Sequence, residues 1–386
     1  MRILFVTNDP PDPTRNPAER WTYLLLKGLC ERGHQVSLWS VAGDRGPIER
    51  ARPHLERLPL ELHMHLAPAS RRGLADKLRT LREPFTASIP QAMRDEIRQR
   101  HEAGAYDVLH VEHLQGYGHI AADVPRAFAS VQMLNLVDLR GSGYRSWDFC
   151  KTKLLHYSSE IRLLRWLRHV RVLTPELAGI VRRINPRATV WTVPIAVDPA
   201  LYPVLPDART NTVGLIAGMR WEHSRLAAER LLTRIWPSVQ RRVAGARLLI
   251  AGWGAADVLA AHANQPGVEI LQDLPDATDF FRRCSVLAYP LPFGGGLKSK
   301  ILESMAYGVP VVTTAAGISG IDATPGTHAR IEDDDPAFAD AIVDLLNDAP
   351  LRRRMSAAAR TLVEDRYSPA PVVSQFEALY SAICRS

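Results

Sequence analysis

Short apolar runs alternate with helix-spaced stretches along this chain, and the alternation begins twice. ILFVT (3–7) is an unbroken apolar run. RWTYLLLKGLCERGH (20–34) follows, with Tyr23, Leu24, Leu26, Leu29 and Cys30 at helical spacing and Gly33 placed as a stop. QVSLWSV (35–41) then alternates as a strand. A strand, a helix and a strand in that order are the unit of a parallel sheet. DVLHVEH (107–113) and ASVQMLNLVD (129–138) read as further strands, residues 150–184 as helices, and ATVWTVP (188–194) as the last strand of this half.

The pattern restarts after PIAVDPALYPVLPDA (194–208), whose prolines mark a linker. TVGLIAG (212–218) is a strand, RLAAERLLTRIWPSVQRRV (225–243) a helix with Pro237 late in it, and ARLLIAGWG (246–254) a strand ending on glycines. VEILQDL (268–274), a short helix near 276–283 and SVLAYPL (285–291) continue the alternation. Residues 335–367 read as helical on both sides of Pro350, and a last helix runs to about Ile383. The expectation is an α/β chain of two Rossmann-like domains facing a central cleft. Residues 1–194 form the first and 209–367 the second, with a linker at 195–208. Residues 368–386 form a C-terminal helix expected to pack back toward the first domain. In such sheets ligands sit at the carboxyl ends of the strands.

A length of 386 residues suits two domains, and 46% apolar with 23% charged residues is ordinary for a core-forming protein. No run of about 18 apolar residues occurs, so no spanning helix is expected. The N-terminal apolar run is short and breaks on Pro10 and Pro11, unlike a signal peptide. Cys30, Cys150, Cys284 and Cys384 lie far apart, which fits a reducing cytoplasm and suggests neither a disulfide framework nor a zinc site. HMHL (63–66) places two histidines on one strand face with no third ligand nearby, and reads as surface. The net charge is +7, and from Arg140 to Arg187 eleven Lys or Arg stand against Asp148, Glu160 and Glu176. Such an excess suits nucleic acid, an anionic membrane or a phosphorylated ligand, or is a solvated helix face. The basic residues lack interleaved aromatics, which argues against nucleic acid.

The densest chemistry is LPFGGGLKSKILESMAYGVPVVTT (291–314). A buried strand precedes it, KSKILESMAYG is a helix stopped by Gly308, and VPVVTT is the next strand. Gly294, Gly295 and Gly296 therefore lie between a strand end and a helix start. Glycines let backbone N–H groups approach a ligand, and the helix N-terminus favours an anion. Lys298 and Lys300 in the first turn oppose the helix dipole and make local sense only with an anion nearby. Glu303, one turn on, can accept hydrogen bonds from two sugar hydroxyls. The plainer alternative is a glycine-rich turn with solvated lysines.

LKSKILESMAYGVPVVTT, with AGWG before it and LRRRMSAAARTLVEDRY after it, resembles the donor-binding domain of GT-B glycosyltransferases, most closely the large retaining family numbered 4. The likeness is strong over 212–367 and weaker over the first half. It implies a nucleoside diphosphate sugar as co-substrate, UDP- or GDP-linked, with no other cofactor and no metal. By resemblance Glu303 holds the donor ribose and Gly296 belongs to the phosphate loop, with Gly294, Gly295, Leu297 and Lys298 beside it. The family usually has a glutamate eight positions before Glu303. Here that position is Gly295, as in a branch with a GxGLKxK-type loop, so the donor sugar stays open. Arg220 and Arg225 of GMRWEHSR match an Arg and a Lys that hold the diphosphate, and two cations there stabilise the leaving group's charge.

In the first half the resemblance implies a loop after ILFVT that closes over donor and acceptor. Here it is NDPPDPTRNPAER, without paired glycines, and Asn8, Arg15 and Arg20 are its candidate contacts. The absence of GxGxxG argues against a nicotinamide enzyme. His113, just after a strand, is a candidate for hydrogen bonding or proton transfer at the reacting sugar. Asp138 follows the next strand and is either an acceptor contact or a cap. The catalytic set expected is His113, Arg220 and Lys298. The basic stretches 69–82 and 151–183 either rest on an anionic membrane, reaching a lipid-linked saccharide from the inner face of the cell membrane, or form a core face with a basic back. The leading expectation is a retaining glycosyltransferase of bacterial surface glycan assembly. A small-molecule acceptor and a non-catalytic nucleotide-sugar binder are the alternatives.

Overall fold

A computed structural model describes residues 1–66, 91–112, 124, 127–131, 158, 160–207, 210–272, 274, 276–294 and 296–385. They divide into two compact units. Residues up to Ala196, with the stretch from Pro369 onward, form unit 1; Val197–Ser368 falls in unit 2.

Unit 1 is built on a seven-stranded sheet. Its strands are β1 (Arg2–Thr7), β2 (Gln35–Ala42), β3 (Leu60–Leu66), β4 (Val108–Val111), β5 (Ala127–Val131), β6 (His169–Val172) and β7 (Thr189–Thr192), in the order β3-β2-β1-β4-β5-β6-β7. The pairs are parallel, and Ile3 lies opposite Val36 on one side and Val108 on the other. Continuous burial of Ile3–Thr7 explains why ILFVT lacks the alternation of a half-exposed strand. Helix α1 (Pro17–Glu31) starts on Asn16, whose side chain accepts from Glu19 N at 3.0 Å and donates to the Glu19 carboxylate at 2.6 Å. The first bond satisfies a backbone N–H that the helix start would otherwise leave open, and the second ties the two side chains together. α2 (Arg45–Leu55) and α3 (Gln91–Glu102) follow β2 and β3 in chain order, and α4 (Pro175–Ile184) joins β6 to β7.

The reading of 150–184 as helices throughout is corrected by β6. HVRV is a four-residue strand, buried along its length. It is too short to show a period, and its Arg171 disguises a buried strand as a charged one. In the described part of the same stretch Leu163, Leu164 and Leu167 are buried while Arg165 and Arg168 are exposed, a core face with a basic back.

The C-terminal helix of unit 1 (Pro369–Arg385) packs on α1. Phe376 stacks on Trp21 with centroids 6.1 Å apart. The two helices approach so closely at Gly28 that a Cβ there would lie 2.6 Å from Val373 Cγ2. Arg32 and His34 both reach Glu377, and Arg32 also donates to Ala370 O.

Unit 2 repeats the plan with β8 (Thr212–Ile216), β9 (Arg247–Ala251), β10 (Val268–Leu271), β11 (Val286–Tyr289), β12 (Val311–Thr313) and β13 (Arg330–Ile331), in the order β10-β9-β8-β11-β12-β13. The proline-rich segment 195–207 is not a free tether. Val197 N donates to Tyr367 O and Leu205 N to Tyr307 O, Tyr202 and Leu205 are buried, and Asp207 pairs with the buried Arg352 at 2.9 Å. Nor is 225–243 one regular helix. α5 (Glu222–Arg230) passes through a π turn at Leu231–Ile235 into α6 (Trp236–Arg242). Pro237, which has no N–H to give, falls in the first turn of the new segment. The helices that follow are α7 (Ala255–Val258), α8 (Ala277–Arg283), α9 (Ser299–Tyr307), α10 (Ala315–Ile318), α11 (Asp335–Asn347) and α12 (Ala349–Leu362).

Candidate active site

The glycine loop leaves the buried end of β11. Its entry is held from several directions. Thr313 Oγ1 donates to Tyr289 O at 2.9 Å, and Thr314 Oγ1 to Leu291 O at 2.7 Å. Arg230, paired with Asp335 at 2.6 Å, donates to Pro290 O at 3.3 Å. The Tyr289 hydroxyl shares a hydrogen bond with Ser224 Oγ at 3.1 Å, and burial raises its pKa. The loop then turns through Gly294 (φ 147°) and Gly296 (φ 153°), backbone that other residues rarely adopt. Gly295 lies outside the described residues.

Lys298 sits at the N-cap of α9, where no side chain caps the helix. Its ammonium folds back and donates to Gly296 O at 2.6 Å, above Gly294. Lys300 pairs with Glu303 at 2.8 Å, and the Glu303 side chain is 3% exposed. The anion that Lys300 needs against the helix dipole is therefore supplied within the chain, three residues on. A carboxylate buried this deeply is costly without a cation, so the pair is interdependent. Leu297 is half-buried beside it. The loop thus brings Gly294, Gly296, Leu297, Lys298 and Glu303 to one end of the sheet, between β11 and an uncapped helix N-terminus. Such an arrangement offers backbone N–H groups and a cation to an anion.

Arg220 and Arg225 follow β8, the strand that pairs with β11. They diverge. Arg220 reaches toward β9, pairing with Asp257 at 3.2 Å and standing over the Trp253 ring at 5.3 Å. Arg225 pairs with Glu229 at 2.8 Å along its own helix. Both pairs are exposed, and exposed pairs contribute about 0–1 kcal/mol, so either arginine can exchange its partner for a diphosphate at little cost.

In unit 1 the loop after β1 is organised by Asp12. This buried carboxylate accepts from Thr14 N at 2.8 Å and Thr14 Oγ1 at 2.6 Å. Arg20 is committed to the loop backbone, donating to Pro13 O at 3.1 Å and Arg15 O at 3.2 Å, and Arg15 stands 4.0 Å from Glu19. Asn8 lines a cavity of about 200 Å³ with Thr7, Asp9, Asn16 and Glu19. Its Oδ1 is buried and accepts no hydrogen bond among the described residues. Burial raises the Glu19 pKa against the opposing pull of Arg15. The cavity is rich in acceptors and is suited to hydroxyl donors. Asp9 and Glu19 were not anticipated as its lining; the acidic residues after ILFVT were the available signal.

His113 and Asp138 lie outside the described residues, as do the stretch 69–82 and Cys150. Glu112, next to His113, is described and fully buried. It joins His110 at 2.8 Å and lies 3.8 Å from Arg171. His63 and His65, read from the sequence as surface, are half-buried against Trp39, and His63 pairs with Glu61. Among the described residues no group of three or more His, Cys, Asp or Glu could hold a metal, and no described helix is long and apolar enough to cross a membrane.

Residues 210–348 match the family model described as glycosyl transferases group 1. Sucrose-phosphate synthase of Thermosynechococcus elongatus superposes with a TM-score of 0.73 at 16% identity, over 99% of each chain. HepE of Anabaena, solved with UDP and glucose, gives 0.66 at 14% identity, over 99% of this chain and 100% of that one. WaaG, a glycosyltransferase involved in lipopolysaccharide biosynthesis, gives 0.63 at 12% identity, over 99% of each. None of the curated proteins matches this sequence. The glycine loop and both arginines fall inside the segment that matches the group 1 model, and the α/β fold with two parallel sheets is that of the GT-B glycosyltransferases.

Proposed function

We propose that this protein is a glycosyltransferase that moves a sugar from a nucleoside diphosphate sugar, UDP- or GDP-linked, to an acceptor hydroxyl. The observation that carries the reading is the loop from Gly294 to Lys298. It presents glycine backbone, a lysine and an uncapped helix start at one sheet end, with Glu303 buried one turn on. In this reading the diphosphate takes the place that Gly296 O now holds on Lys298. Arg220 and Arg225 join it, and the negative charge developing on the leaving diphosphate is stabilised without a metal ion. Glu303 turns to the ribose hydroxyls as Lys300 shifts toward phosphate. The Asn8 cavity in unit 1 receives hydroxyls of the acceptor. His113 and Asp138 complete the acceptor side, with Arg15 supporting the loop, and the anomeric configuration is retained.

The acceptor in this proposal is a saccharide of bacterial surface glycan assembly, free or lipid-linked, met at the cytoplasmic face of the membrane. Support comes from the structural neighbours, one of which, WaaG, is involved in lipopolysaccharide biosynthesis. A second reading, a nucleotide-sugar binder without turnover, is favoured by Gly295 standing where the resemblance expects a glutamate. Calorimetric titration of UDP, GDP, ADP and dTDP tests the donor site. One nucleotide is expected to bind in the micromolar range and to lose at least tenfold in affinity in Glu303→Gln, about 1.4 kcal/mol. Binding equal in both proteins removes Glu303 from the ribose. Donor binding with neither transfer nor donor hydrolysis across a broad acceptor set selects the second reading.

A further inference from the structure

Two tryptophans stand more than half exposed on unit 2, Trp221 at 55% and Trp253 at 54%. An indole left in water forgoes a large apolar burial. These two are not scattered. Trp221 follows β8 and Trp253 follows β9, neighbouring strands at the same sheet end as the glycine loop. Both rings border Gly218. A Cβ at that position would lie 3.0 Å from Trp221 Cδ1 and 3.9 Å from Trp253 Cε3.

The placement is rigid. Ala217 N donates to Ala251 O at 3.0 Å and Met219 N to Trp253 O at 2.9 Å, so the two loops are stitched together. Trp253 is flanked by Gly252 (φ 131°), where a Cβ would sit 2.0 Å from Ala217 O, and Gly254 (φ 76°), where it would sit 2.8 Å from Arg220 Cγ. Neither position accepts a side chain. The Arg220 guanidinium lies over the Trp253 ring, and His223 lies against Trp221. Two indoles, a guanidinium and a glycine gap make an aromatic surface that is ordered and still uncovered.

Resting on the donor reading above, the geometry points to Trp221 and Trp253 as the stacking platform for the nucleobase of the nucleoside diphosphate. β8 lies next to β11 and β9 beyond it, so the strands that lead to Trp221 and Trp253 stand one and two strand spacings, about 5 and 10 Å, from the strand that leads to the glycine loop. A nucleoside bridges such a gap from base to diphosphate. Every base has a π-face, and an aromatic ring beside an arginine is the chemistry that receives one. The platform accepts different bases with similar strength, leaving selection among them to polar groups.

The test uses the full chain, with Trp253→Leu, Trp221→Leu and Trp253→Phe titrated with UDP, GDP, ADP and dTDP. The leucine variants are expected to bind the preferred nucleotide about tenfold or more weakly with unchanged melting temperature, and Trp253→Phe to stay within about threefold of wild type. Wild-type affinity in both leucine variants overturns the platform and leaves the donor reading intact; a phenylalanine variant no better than leucine overturns it equally. A wild-type protein that binds none of the four nucleotides removes the donor reading and the platform with it.

Discussion

The two sheets share an order, in which the first strand of each is flanked by the second and the fourth, yet they fill their interiors differently. In unit 1 the strands β4, β5 and β6 carry His110, Ser130 and Arg171 into full burial, with Glu112 just past the end of β4. Tyr380, from the C-terminal helix, joins His110 Nδ1 at 2.8 Å, and Glu112 joins the other ring nitrogen at 2.8 Å. Arg171 donates to Val193 O and Pro194 O at 2.8 Å each and lies over the Trp21 and Phe376 rings. Burial pulls its pKa down to about 10, with Glu112 opposing, so it stays charged at neutral pH. In unit 2 the matching interior is apolar on β8, β9 and β11, with hydroxyls gathered at strand ends such as Thr313. One sheet uses buried polar groups to fix its partner helix; the other gathers its hydroxyls at the strand ends where the glycine loop begins.

The sharpest way to break that comparison is Arg171→Ala. It leaves Glu112 buried without its cation and is expected to cost about 3–5 kcal/mol in chemical denaturation. Glu112→Gln added to it is expected to recover part of the loss. A cost below about 1 kcal/mol would mean that the two interiors do not differ in kind. In unit 2 the equivalent weak point is steric. A methyl at Gly214 would sit 2.4 Å from Cys284 Sγ and 2.7 Å from Phe280 Cζ. Gly214→Ala is expected to cost about 1–3 kcal/mol, partly restored by Cys284→Ala. Tyr380→Phe removes one hydrogen bond from His110 and is expected to cost about 1–2 kcal/mol. The same change should leave nucleotide affinity unaltered, which calorimetry checks.

The smallest effect is electrostatic. Hydrogen bonds from Arg100, then His63 and Ser37, hold the Glu61 carboxyl down at about 2. A depressed carboxyl stabilises the fold above its unfolded pKa of about 4.3 and loses that contribution as pH falls toward 2. Melting temperature should therefore drop over this window, and Arg100→Gln should flatten the drop. Glu61 is half exposed, so the effect is modest beside Arg171.

Much of this was legible in residue order. The doubled strand-helix pattern needs only local periodicity, and ILFVT and SVLAYPL became buried parallel strands. The glycine loop was visible because its residue types are rare together. The strand HVRV was hidden because four residues carry no period and its arginine is satisfied by Val193, Pro194 and the Trp21 ring, partners 22, 23 and 150 positions away. Arg20 read as a candidate ligand contact and Asp12 was not singled out at all; in the structure both bond within the loop after β1. Trp253 was visible in AGWG, but its meaning depends on Trp221 from another strand.

The sequence by itself determined the two-unit α/β architecture, the strand ends from which the loops spring and the residue types of the glycine loop, because these follow from periodicity and from local backbone chemistry. Only the tertiary structure decided which charges are paired. Lys300 and Glu303, Arg220 and Asp257, and the His110–Glu112–Arg171 group are matters of distance and burial, and both are set by packing between segments far apart in the chain.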